Sequence, residues 1–227
     1  MVKKLQNFGD SYGDYGAGLD KRWPLRSKLD YDMLCGFLQK INFCIQDLNG
    51  EIDQLDNLCT KDILYIIVLT TWVQEAVDRV FDLYRAEVLS GFSFDKEEEL
   101  KKANQYIKAI RSFSVAHPLS TDRHEKYGFD GNFICVDIYL TSNVSHFPLM
   151  RLLQRYHLDF DGIHDYIDSS DDFYLHCYSK KDDNMQFFRD IGCSISDIYQ
   201  VAELYLSKLY ALDRYLKRQK MLDYKGK

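Results

Sequence analysis

Leu100-Lys-Lys-Ala103-Asn-Gln-Tyr106-Ile107-Lys-Ala-Ile110-Arg111-Ser-Phe-Ser-Val-Ala-His117-Pro118 decides how the chain folds. Leu100, Ala103, Tyr106, Ile107 and Ile110 recur at three- and four-residue intervals, the spacing of one buried helical face. Arg111 then falls in the last turn of that helix. Pro118 disfavours α geometry at His117, so the helix is expected to stop there and swing the imidazole into the following turn. In an unbroken helix residues six apart stand about 9 Å apart in rise and roughly 120° apart in rotation, and share no face.

The neighbouring segments carry the same period. Met33, Leu34, Phe37, Leu38, Ile41, Ile45, Leu48, Ile52 and Leu55 form a stripe over 30–58, with an expected break or kink at Asn49-Gly50. Thr60 suits an N-cap for a second helix reaching about Leu89. Its stripe of Ile63, Ile67, Trp72, Ala76, Val80 and Leu83 predicts a central core element, with Glu75 and Asp78 on the polar border. The acidic run Asp95-Lys-Glu-Glu-Glu opens the third helix, where the macrodipole favours negative charge. Short connections make helices two and three an expected antiparallel pair. A last helix from 194 or 196 to 220 carries Ile198, Val201, Leu204, Tyr205, Leu209, Leu212, Tyr215 and Leu216.

Between these helices the pattern changes. Residues 131–140 and 172–178 are rich in β-branched and aromatic side chains and read as strands that can pair, while 148–156 reads as a short helix. The expected fold is therefore mainly α: four to five helices with a small β-containing insertion at about 129–180. Residues 1–22, polar and rich in Gly and Tyr, are expected to be a mobile arm, and 23–227 a single helical domain.

At 227 residues, 46% hydrophobic and 28% charged, the chain has the composition of a globular protein with a sizeable core. Its apolar runs are too short to span a bilayer, and Met1-Val-Lys-Lys-Leu-Gln-Asn7 lacks the apolar segment of a secretory signal. Six cysteines without a CxxC spacing suit buried free thiols, so a cytoplasmic protein without membrane partners is expected. A net charge of −6 argues against broad, non-specific nucleic-acid binding but leaves room for a local basic cleft.

Arg111 and His117 together suit phosphate chemistry. A guanidinium stays charged and offers a planar fork of donors to phosphate oxygens, and an imidazole gives or takes a proton near neutral pH. On a phosphodiester, the imidazole can take the ribose 2′-hydroxyl proton or protonate the leaving 5′-oxygen, while the arginine stabilises charge on the phosphate, without metal or cofactor. The same residues also suit a simple C-terminal cap, where cations meet the helix dipole favourably.

The wording from Ile110 to Leu119, a helix followed by Arg, small or polar residues, His and Pro, resembles the Arg-x(4–6)-His signature of the HEPN superfamily. It is also similar to uncharacterised bacterial members linked to abortive infection and toxins. The resemblance covers roughly residues 60–120. It implies a helical bundle, a metal-independent endoribonuclease of a toxin–antitoxin or phage-defence system, and a homodimer with facing sites. RNA is then the substrate, and an antitoxin or other regulatory protein a partner. Carried over by position, Arg111 is the phosphate or transition-state cation and His117 the general acid/base. Ser112, where the family often has Asn, Asp or His, is a weaker polar support, and an acidic residue of a neighbouring helix sometimes assists.

Arg123-His124 can extend a phosphate-binding patch. A second Arg-x5-His, Arg151 to His157, has the same spacing but no proline after its histidine. His157, Asp159, Asp161 and His164 raise a metal hypothesis that ranks below a solvated acidic loop. The alternative to an enzyme is a catalytically silent module that binds a nucleotide, RNA or a protein in the same cleft.

Overall fold

The period of residues 100–110 becomes a buried face. In the computed structural model Leu100, Ala103, Tyr106, Ile107 and Ile110 are all buried along a helix running Glu97–Arg111. The structure describes residues 2–8, 23, 25, 27–84, 86–116, 132–140, 154–159, 162–164, 171–181 and 185–225. Within them the helices are α1 (Lys28–Ile52), α2 (Thr60–Asp82), the single turn α3 (Ala86–Leu89), α4 (Glu97–Arg111) and α5 (Ile195–Lys225). The mainly helical fold with a β-containing insertion is as expected.

α2 is the central element and packs against α1, α4 and α5. Its Ile63, Ile66, Ile67, Val73, Val77 and Val80 meet Leu34, Leu38, Ile41, Ile45 and Leu48 of α1, and Ile198, Val201, Leu209 and Leu212 of α5, in one core. Two expectations need correction. Trp72 and Met33, assigned to the stripes of their helices by spacing, lie 40% and 42% exposed. Both stand on the rim of their helix, where a stripe wider than the contact leaves its margin in solvent.

Helix ends follow local chemistry. Ser27 Oγ accepts a hydrogen bond from the Asp30 amide at 3.1 Å and caps α1. α1 passes through Asn49-Gly50 and ends at Ile52. Cys59, not Thr60, precedes α2, and its amide donates to Asp62 Oδ2 at 2.8 Å, which holds the Asp62 carboxyl below its usual range. α2 stops at Asp82, with α3 a separate turn before Ser90-Gly91.

The strands β1 (Asn132–Leu140), β2 (Gln154–Asp159), β3 (Gly162–His164), β4 (Phe173–Lys181) and β5 (Met185–Cys193) form one sheet of order β1-β4-β5-β2-β3. β1 and β4, both expected, pair antiparallel with Ile138 opposite Leu175. Gln154–Tyr156, expected as the end of a short helix, belong to β2 instead and pair in parallel with Arg189–Ile191 of β5. A distant strand supplies the hydrogen bonds there, so local propensity does not decide. Phe173, Leu175, Ile191 and Cys193 carry the sheet into the helical core. Asp172 Oδ2 accepts from the Ile195 amide at 2.7 Å and from Ser194 Oγ at 3.2 Å, locking the sheet to the start of α5.

The expectation of a mobile arm is corrected for residues 2–8, where Leu5 and Phe8 are buried in the core. The remainder of the arm, 9–22, lies outside the described residues. Of the described cysteines, Cys44 and Cys193 are buried free thiols as expected, Cys35 is half-buried and Cys59 is exposed.

Candidate active site around Arg111

Arg111 closes α4 in α geometry, and the chain continues as a wider π turn over Ser112–Ala116. Three features of the sequence favour that turn. Ser114 Oγ donates to the Ile110 carbonyl at 2.7 Å, four residues back, a bond that competes with the α-helical ladder. Phe113 is fully buried and anchors the turn to the core. Val115, being β-branched, adds to the crowding. Single π turns recur at functional sites. The described turn ends at Ala116, directly before His117, Pro118, Arg123 and His124, which lie outside the described residues.

Arg111 itself is 43% exposed, and its Nη1 donates to Glu75 Oε1 of α2 at 3.0 Å. Spacing alone left Glu75 and Asp78 equal as the acidic neighbour, and geometry selects Glu75. Asp78 is also exposed and makes no such pair with Arg111; partial desolvation pushes its carboxyl above the usual range against the pull of Lys208 and Lys108. Ser112, the first residue of the π turn and next in the chain to Arg111, is buried. Gln74, one residue before Glu75, donates through Nε2 to Asn104 Oδ1 at 2.7 Å and ties α2 to α4 next to the ion pair.

Sequence reasoning missed the flank of this site. Trp72 stands one turn before Glu75 on α2, a spacing that puts the two side by side. Lys40 of α1 holds its Nζ 3.5 Å from the centre of the Trp72 ring. A partly exposed aromatic ring with a lysine over it thus stands on α2 one turn from Glu75. The only sequence clue was that Trp72 is offset from the strictest core positions of α2.

The second Arg-x5-His falls on the sheet. Arg155 lies opposite Asp190 in the β2–β5 pairing, and His157 lies between Gly192 of β5 and His164 of β3, while Arg151 and Asp161 are outside the described residues. Among the described residues no group of three or more His, Cys, Asp or Glu is placed to hold a metal ion, and no helix is long and apolar enough to cross a membrane. Comparison of the chain with protein-family models, with curated proteins and with solved structures finds no match.

Proposed function

We propose that the chain is a metal-independent endoribonuclease of the HEPN type, acting in a toxin or phage-defence system, with Arg111 and His117 as its catalytic groups. The observation that carries this reading is the half-exposed Arg111 at the end of α4, oriented by Glu75, with Trp72 and the Lys40 over it one turn from Glu75. A single-stranded RNA suits such a surface, because aromatic planes stack on bases and cations meet phosphates. In the proposed reaction His117 takes the proton of a ribose 2′-hydroxyl. That oxygen then bonds to phosphorus, and the 5′-oxygen leaves with a proton returned to it. Arg111 exchanges Glu75 for the phosphate oxygens as charge builds there. Ser112, Arg123 and His124 are supporting or phosphate-binding residues in this scheme, two copies of the chain bring their sites face to face, and an antitoxin or regulatory protein restrains them.

The test is cleavage of RNA in EDTA with analysis of the product ends. Wild type should yield 2′,3′-cyclic phosphate termini, and His117→Ala should lose about 10²–10⁴ in rate. Undiminished cleavage by His117→Ala would end this mechanism. A second reading, a silent binding module that uses the same surface, draws support from the Arg111–Glu75 pair itself, since the carboxylate already neutralises the cation that the substrate needs. Binding of RNA without cleavage would favour it.

A further inference from the structure

Residues 2–8 lie in a groove between α1 and α5, held through main-chain atoms as well as side chains. Asn49 accepts from the Leu5 amide through Oδ1 at 2.7 Å and donates to the Leu5 carbonyl through Nδ2 at 2.8 Å. Asn42 does the same to Phe8, at 2.8 Å and 3.0 Å. Each asparagine therefore reads both main-chain groups of one residue, as a neighbouring β-strand would. The spacings match. Seven residues of α-helix advance about 10.5 Å and return to nearly the same face, and three residues of extended or polyproline-like chain span roughly 9–10 Å.

Side chains add a pattern to this main-chain grip. Leu5 and Phe8 are buried and Val2 packs partly against the core, while Lys3, Lys4, Gln6 and Asn7 are exposed. Phe8 meets the rings of Trp23 and Tyr210 at 5.8 and 5.1 Å between centroids. Lys4 pairs with Asp53 at 2.9 Å, and Tyr210 donates its hydroxyl to the Asn7 carbonyl at 2.7 Å. Beside the segment a cleft of about 510 Å³ remains open towards Tyr199, Gln200, Glu203 and Ser207 of α5.

We propose that this groove is a peptide-binding site, filled in cis by residues 2–8 and open in trans to an extended segment of a partner protein with two large apolar residues three apart and a basic residue before the first of them. The resident segment shows the chemistry the groove accepts, and Asp53 and Glu203 supply the matching acidic rim. Because the four amide bonds go to main-chain atoms, they set direction and register for any sequence of that pattern.

A fluorescein-labelled peptide of residues 2–8, titrated onto the full chain carrying Leu5→Ser and Phe8→Ser, tests this by anisotropy. The emptied groove should bind it one to one. Wild type should bind at least about tenfold more weakly, since a tethered competitor acts at an effective concentration in the millimolar range. Adding Asn42→Ala or Asn49→Ala should weaken binding about tenfold or more, and Asn42→Asp, which keeps the acceptor for the Phe8 amide, should weaken it less. Equal binding with and without the asparagines, or equal binding of a peptide carrying serine at both apolar positions, would overturn the proposal. A dimer that forms with concentration and disappears in Asn42→Ala would assign the groove to a second copy and overturn the foreign partner. Hydrogen exchange on the wild type needs no variant. The Leu5 and Phe8 amides should exchange more slowly than those of Lys4 and Gln6 but sooner than the core amides of α1, and exchange only on global unfolding would show a segment that never leaves.

Discussion

Arg111→Ala separates the folding role of this side chain from its proposed role in cleavage. In the folded chain Arg111 makes one N–H···O bond of 3.0 Å to Glu75, with the two side chains 43% and 51% exposed. A pair this open to water and salt is worth about 0.2–1 kcal/mol in a double-mutant cycle. For a chain of this size that shifts Tm by only about 2–4 °C per kcal/mol, against a total stability of roughly 5–15 kcal/mol. Loss of a cation that meets developing charge on the phosphate costs about 10²–10³ in rate, equivalent to about 2.7–4 kcal/mol on the barrier. The expected result is a folded, nearly wild-type Arg111→Ala protein with cleavage reduced by two orders of magnitude or more. Glu75→Ala, which leaves the cation in place, should cost far less activity. Urea denaturation of wild type, both single variants and the double variant measures the coupling, and single-turnover cleavage of end-labelled RNA in EDTA measures the rate. Cleavage by Arg111→Ala at the wild-type rate would remove the arginine from the mechanism. A coupling above about 2 kcal/mol would contradict the surface-pair reasoning.

Phe113→Ala should destabilise the fold by about 3–5 kcal/mol in urea denaturation, because the ring that anchors the π turn is fully buried, and a loss under about 1 kcal/mol would deny the anchor. Gly192→Ala should cost about 1–3 kcal/mol, since a Cβ there runs into the buried Asp171 carboxylate, and unchanged stability would show that Asp171 moves aside freely. Asp62→Asn should lower Tm at neutral pH. The Asp62 carboxyl is held below its ordinary value of 3.8, so its contribution is present above that pH and fades as pH falls through the lower folded value, and a Tm gap that persists in strong acid would refute the cap. A thiol reagent should label exposed Cys59 in the native protein, whereas Cys44, buried and pushed up to about 11, should react only on unfolding.

The helices were legible because each buries one face and leaves a period of three and four in the chain. Leu100, Ala103, Tyr106, Ile107 and Ile110 on α4, and Ile198, Val201, Leu204, Tyr205, Leu209, Leu212 and Leu216 on α5, are all buried as that period predicts. β1 and β4 were legible from β-branched and aromatic runs. β2 and β5 were not, because Gln154-Arg-Tyr-His-Leu-Asp159 and Met185-Gln-Phe-Phe-Arg-Asp-Ile-Gly-Cys193 mix polar and apolar residues and take their strand form from the strands they pair with, β2 from β3 and β5, and β5 from β4 and β2. At the site, the sequence placed Arg111 at a helix end. It held no preference for Glu75 over Asp78, and no hint that Lys40, 32 residues before Trp72, would lie over that ring. The asparagine pair was invisible for the same reason: an Asn-Gly step signals a turn in isolation, whereas here the helix continues and the Asn49 side chain serves another segment.

The strand order also sets a sequence of events during synthesis. β5 is the joint of the sheet, bonded to β4 on one side and β2 on the other. Until Met185–Cys193 emerges from the ribosome, the β2–β3 hairpin has no larger sheet to join, and two-stranded pieces of that size are marginal in water. α5 follows β5 after a single residue and carries much of the helical core. The apolar faces that α1 and α2 turn towards α5 are therefore covered only after residues 185–225 have been made, and until then they are open to aggregation or to a chaperone.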